Sequence, residues 1–223
     1  MAKLPAKNTL AFSLTTVPDA EGGRQLFGLE GLNDEDSARA MQQLQIQRSG
    51  HERLPPHLQK IETLAVAGVV DGDFRVHTLD QSQGEASLIA DFFRRLADSH
   101  TQILTYRADE QLPILRCRAL INRISGGQGD AFDLAECLGG QGNAPPLNEL
   151  IQLQGLPALP KKAEATAIAQ MRAVQIYLLY LRQLVLQGRI DVAALASAEH
   201  KVHQQLNAES EPYWQQFMHG WQI

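Results

Sequence analysis

The stretch Phe12-Ser13-Leu14-Thr15-Thr16-Val17-Pro18-Asp19 belongs to a segment, Thr9 to Thr16, that alternates enough to form a β-strand. Successive side chains of a strand leave opposite faces, so Ser13 and Thr15 share one face. Further along, Ile61 to Val70 and Phe74 to Leu79 flank Asp71-Gly72-Asp73 and read as a hairpin, and Gln102 to Tyr106 reads as a buried strand. Between them lie two helices. Asp34 to Arg48 follows a capping Asn33 and carries Ala38, Met41 and Leu44 at helical spacing; Glu85 to Ala97 gathers Leu88, Ile89, Phe92, Phe93 and Leu96 on one face. The rest reads as helical, over 110–122, 130–138, 146–154, 163–187 and 192–207, with a short helix over 212–221. A hairpin and a further strand crossed by helices predict an α/β fold: a mixed sheet flanked by helices, with a helical C-terminal half. The reading is one domain over 1–223 with a helical extension from about 190 to 223.

The 223 residues are 44% hydrophobic, enough to fill a single α/β core. No run approaches the roughly 18 apolar residues of a membrane span. Met1-Ala2-Lys3-Leu4-Pro5-Ala6-Lys7 lacks an apolar signal core, so the expectation is a cytoplasmic protein with no membrane partner. In that setting Cys117 and Cys137 stay reduced. They are too few for a zinc site without histidine help, and no His stands at a paired Cys spacing. His200 and His203, one helical turn apart, read as a solvated face. A net charge of −5 argues against strong non-specific nucleic-acid binding, and 6% aromatic residues leave little material for a base-stacking platform. Gly126-Gly127-Gln128-Gly129 and Gly139-Gly140-Gln141-Gly142-Asn143 read as turns, because the first lacks the Lys-Ser/Thr ending of a phosphate loop. Near the C-terminus Tyr213, Phe217 and Trp221 recur at i, i+4 and i+8, with Trp214 beside them. Two readings of that stripe stand: it docks on the chain's own sheet or long helix, or it binds a protein partner or a second copy.

The opening stretch resembles the first motif of the predicted 3'-5' exonucleases related to the proofreading domain of family B DNA polymerases, where it typically reads Phe-Asp-Ile-Glu-Thr-Val-Pro-Asp. Other segments are similar to the same family in order and spacing: Gly22 to Leu32 followed by Asp34-Glu35, Leu54-Pro55-Pro56-His57-Leu58-Gln59-Lys60-Ile61, Leu112-Pro113-Ile114-Leu115 with Arg118-Ala119-Leu120, and Tyr177-Leu178-Leu179-Tyr180-Leu181-Arg182. The resemblance implies a ribonuclease-H-like fold and a DEDD-type site, in which carboxylates hold a pair of divalent metals over the scissile phosphate.

Every position that would carry that chemistry differs. Ser13 stands where the family has Asp, and Thr15 where it has Glu. Aligned on Leu112-Pro113, Gln111 replaces the Asp of the second motif; counting back from Tyr177, Gln170 and Arg172 replace the Glu and Asp of the third. Gln is a poor ligand for a hard cation, and Arg172 is itself a cation. The expectation is a degenerate member of the family with no catalytic residues and no metal, serving a protein partner or nucleic acid as a binding or scaffold module. The alternative is a 3'-5' exonuclease with a rearranged site drawing on Asp19, Asp109, Glu110, Asp133 or Glu136, with Mg2+ or Mn2+ bound weakly near Asp109 and Glu110. Asp133 and Glu136 match a family segment peripheral to the metal cluster, and the loops at 124–129 and 156–162 are shorter than the family's. The nucleic-acid-binding candidates in the former substrate groove are Arg107, Arg116, Lys161, Lys162 and Arg172, unless these are surface charges balanced by Asp and Glu.

Overall fold

β1 (Asn8–Pro18) sits at the centre of a five-stranded sheet in the order β3-β2-β1-β4-β5. The computed structural model describes residues 8–79, 84–98, 100–126, 130–140 and 143–221. Gly127 to Gly129 and Gln141-Gly142, which fall in the two glycine-rich turns, lie outside the described residues. β2 (Gln59–Val70) pairs antiparallel with β1, and β3 (Asp73–Thr78) antiparallel with β2. β4 (Thr101–Thr105) and β5 (Phe132–Asp133) continue the sheet in parallel on the other side. The hairpin between β2 and β3 turns through Asp71 and Gly72, both at positive φ (53° and 93°), as a two-residue turn matched to strand twist requires.

The helices follow as α1 (Ala20–Phe27), α2 (Asp34–Ser49), α3 (Glu85–Leu96), α4 (Ala108–Ile121), α5 (Leu134–Cys137), α6 (Leu147–Leu153), α7 (Ala165–Leu186), α8 (Val192–Ala208) and α9 (Pro212–Met218). The alternation of β1 decides how they layer. Leu10 and Phe12 point to one face, where they join Leu64, Val66 and Ile103 under Phe92 of α3 and Leu115 of α4. Ala11 points to the other with Ala67 and Leu104, beneath α7. Small side chains on that face let α7 approach closely, and α7 answers with Ala167 and Ala173. α7 is buried almost all round, as a helix apolar on every side must be. Val202, Leu206, Trp214, Phe217 and Trp221 of the C-terminal segment belong to the same buried cluster as Ala11 and Leu104. No helix among the described residues is long and apolar enough to cross a membrane.

This is the expected mixed sheet flanked by helices, an α/β arrangement compatible with the ribonuclease-H-like fold. Two local expectations are corrected. The helix expected over 130–138 is instead β5 followed by the short α5, because the Asp133 carboxylate is drawn into capping. And α1, which Gly22-Gly23 hides from a propensity reading, forms behind Asp19, whose Oδ1 accepts the Gly22 N–H at 3.2 Å.

Candidate functional site

β1 brings Ser13, α4 brings Gln111 and α7 brings Arg172 to the lining of one open cavity of about 880 Å³. Three of the five positions singled out by the family resemblance therefore converge. Ser13 is 3% exposed. Gln111 donates through Nε2 to Thr105 Oγ1 (2.9 Å) and to the Tyr106 carbonyl (3.0 Å), which ties its side chain back to the end of β4. Arg172 is exposed and makes no ion pair among the described residues.

Thr15 does not reach this cavity. The β1–β2 register shifts between Thr15 and Thr16, and Thr16 lines the cavity instead, with its Oγ1 donating to Gln59 Oε1 at 3.1 Å. Thr15 Oγ1 is buried without a partner among the described residues. Gln170, two residues from Arg172 and so on another side of α7, faces β3 and α9: it donates to Thr78 Oγ1 at 2.9 Å and accepts the Tyr213 hydroxyl.

Charge on the wall comes from Arg53, Arg107, Arg172 and Glu110. Glu110 is held between two guanidiniums, Oε2 to Arg53 Nη1 at 2.7 Å and Oε1 to Arg107 Nη1 at 3.1 Å. Arg107 sits at φ 61°, a left-handed conformation unusual for a residue with a side chain. Asp133 fixes it there: its carboxylate accepts the N–H groups of Arg107 (2.9 Å) and Ala108 (2.8 Å) and, on its own side, of Ala135 (2.9 Å). One buried carboxylate thus caps both α4 and α5.

The other candidate carboxylates are dispersed. Asp109 and Glu136 are exposed and share with Asp133 a separate crevice of about 10 Å³, no more than a water molecule's worth of space. Asp19 is paired with Arg118 across the other face of the sheet's end. Burial alone would raise its pKa, but the Arg118 guanidinium and the Gly22 N–H outweigh that and hold it below the usual carboxylate range. Among the described residues no three His, Cys, Asp or Glu side chains are placed to hold a metal ion. A hydroxyl, a neutral amide and a guanidinium do not fit a hard divalent cation, which asks for several oxygen ligands with carboxylates among them.

Of the nucleic-acid candidates, Arg107 and Arg172 line the cavity. Arg116 lies on the exposed side of α4 beside Asp130 (3.5 Å), Lys161 is exposed, and Lys162 borders a different groove with Thr78 and Tyr213. Trp214 (2% exposed), Phe217 and Trp221 are buried in the chain's own core, and Tyr213 is half-buried. Sequence reading missed Arg53, Tyr106 and Gln175 in the cavity wall. Gln175, at i+3 from Arg172, could have been found from helical spacing; Arg53 could not, since only the fold carries it across to α4.

No curated protein matches the chain. Residues 51–129, about a third of the chain, match the model of a family described as a predicted 3'-5' exonuclease related to the exonuclease domain of PolB. The matched span runs from the segment before β2 through α4, so it contains Gln111, Asp109 and Glu110 but neither Ser13 nor Arg172. Over that span, β2 to α4, the chain is similar to a 3'-5' exonuclease family of the PolB kind.

Proposed function

We propose that the protein is a catalytically degenerate 3'-5' exonuclease-like protein that acts in the cytoplasm by binding rather than by hydrolysis. The observation that carries this reading is the lining of the central cavity. Ser13, Gln111 and Arg172, which the family resemblance sets at carboxylate positions, line one cavity, and the one carboxylate in its wall, Glu110, is already paired with Arg53 and Arg107. Two-metal hydrolysis needs negative charge that this wall lacks. The scattered positions of Asp19, Asp109, Asp133 and Glu136 give the alternative hydrolase no second centre, and Asp133 is committed to three backbone N–H groups.

The test is hydrolysis itself. Purified protein is incubated with end-labelled single- and double-stranded DNA and RNA in Mg2+ or Mn2+. The expected result is no metal-dependent nucleotide release above buffer. Release that disappears in both Asp109→Asn and Glu110→Gln would overturn the proposal.

A further inference from the structure

We infer that the cavity between β1, α4 and α7 is a metal-independent binding site for a phosphate-bearing ligand of about nucleotide size. This deepens the preceding reading and rests on it. In a metal-dependent site a carboxylate reaches a phosphate only through a cation. Arg172 removes the need for that bridge: a guanidinium donates directly to phosphate oxygens, often through two parallel N–H groups.

The charge balance favours an anion. Arg53, Arg107 and Arg172 face a single carboxylate, Glu110. Arg53 and Arg107 share Glu110 between them, which leaves that trio with one positive charge. Arg172 adds a second and has no ion-pair partner among the described residues. A volume of about 880 Å³ is within the range of small-molecule and cofactor pockets. The lining also includes the apolar side chains Ile151, Leu159 and Ile176, which offer contact for a ring. The Ser13 hydroxyl and the Asn148 amide are further groups able to hydrogen-bond a sugar or phosphate.

The experiment is calorimetric titration of the full chain with inorganic phosphate, a nucleoside 5'-monophosphate, the unphosphorylated nucleoside, and a short oligonucleotide with a terminal phosphate, each in EDTA and again in Mg2+. Saturable 1:1 binding of at least one phosphate-bearing probe in EDTA is expected, weakened at least about tenfold by Arg172→Ala, as for loss of a charge-assisted hydrogen bond. Arg116→Ala, which alters a cation outside the cavity, should leave affinity unchanged. Preference for the monophosphate assigns a free nucleotide, and preference for the oligonucleotide a strand end. Thermal melting of Arg172→Ala, with Arg172→Gln as a second variant, checks that the fold survives. No saturable binding by any phosphate-bearing probe, a requirement for Mg2+, or equal losses in Arg172→Ala and Arg116→Ala would overturn the inference. Nuclease activity would refute the proposed function instead, and the titration in EDTA decides this site separately.

Discussion

Replacing Arg118 with Ala should destabilise the protein by about 3–5 kcal/mol, the usual consequence of removing one member of a buried charge cluster. The Arg118 side chain is 5% exposed, that of Glu85 6% and that of Asp19 15%. Arg118 grips Glu85 through two bonds, Nε to Oε1 at 2.9 Å and Nη2 to Oε2 at 2.7 Å, and donates through Nη1 to Asp19 Oδ2 and the His57 carbonyl. Glu85 also accepts the Ile61 N–H at 2.7 Å and the Asn122 amide at 3.1 Å. One guanidinium thus ties the end of β1, the start of β2 and the helices α3 and α4 together, and through β1 and α4 it sets the spacing of Ser13 and Gln111. In the variant two buried carboxylates keep their desolvation cost and lose their counter-ion. At about 2–4 °C per kcal/mol for a chain of this length, the melting temperature should fall by roughly 6–20 °C. The loss should also depend on pH. In the wild type Asp19 titrates below its ordinary value of 3.8, so its contribution is present above that value and is lost as pH falls through the folded pKa. Without Arg118, burial is opposed only by the Gly22 N–H and Lys60, so the Asp19 pKa rises relative to the wild type and protonation relieves the variant. The difference between variant and wild type should be full at neutral pH and narrow through the acid range. Denaturant melts at neutral and acid pH measure this; a loss below about 1 kcal/mol, or one independent of pH, would refute the reasoning.

Three further outcomes are expected. Trp214→Ala should cost about 3–5 kcal/mol in a urea melt, because the indole is 2% exposed in the cluster that also holds α7; removal of residues 211–223 should likewise impair cooperative unfolding, and a fully stable truncation would contradict the packing. Gly68→Ala should be far more damaging than Gly23→Ala, since a Cβ at 68 would lie 1.9 Å from the Thr9 carbonyl oxygen in the adjacent backbone, whereas at 23 it meets the Met41 side chain, which can move; equal losses in thermal melts would argue against the close approach of β1 and β2. Restoring acids through Ser13→Asp, Thr15→Glu and Arg172→Asp together should lower stability in EDTA by several kcal/mol, because two of them fall at buried polar positions and none has a cation to face; a melting temperature unchanged or raised without metal would count against the vacated site being relaxed.

The sheet was legible because period-2 alternation in β1 and β2 and the Asp71-Gly72 turn act locally. The same holds for α3, where five apolar residues mark one face. Positions that tertiary pairing decides were not legible. Asp133 fell inside an expected helix over 130–138 and is instead the acceptor that pins Arg107, 26 residues earlier, in a left-handed conformation. Arg118 entered the sequence reading as part of the Arg118-Ala119-Leu120 segment, although it is the most buried charge in the ion-pair network among the described residues. Counting along motifs picked out Ser13, Gln111 and Arg172, which line one cavity, because register within a strand or helix is fixed by its period. Thr15 and Gln170 do not line that cavity: a register shift puts Thr16 there instead, and the 100° step of a helix turns Gln170 toward β3.

The claim that this cavity has no use for a divalent metal is tested most directly by titrating the protein with Mn2+ and following free ion by electron paramagnetic resonance. The account predicts no stoichiometric site, with any weak uptake unchanged by Glu110→Gln and Asp109→Asn. A single site per chain that either substitution abolishes would contradict it.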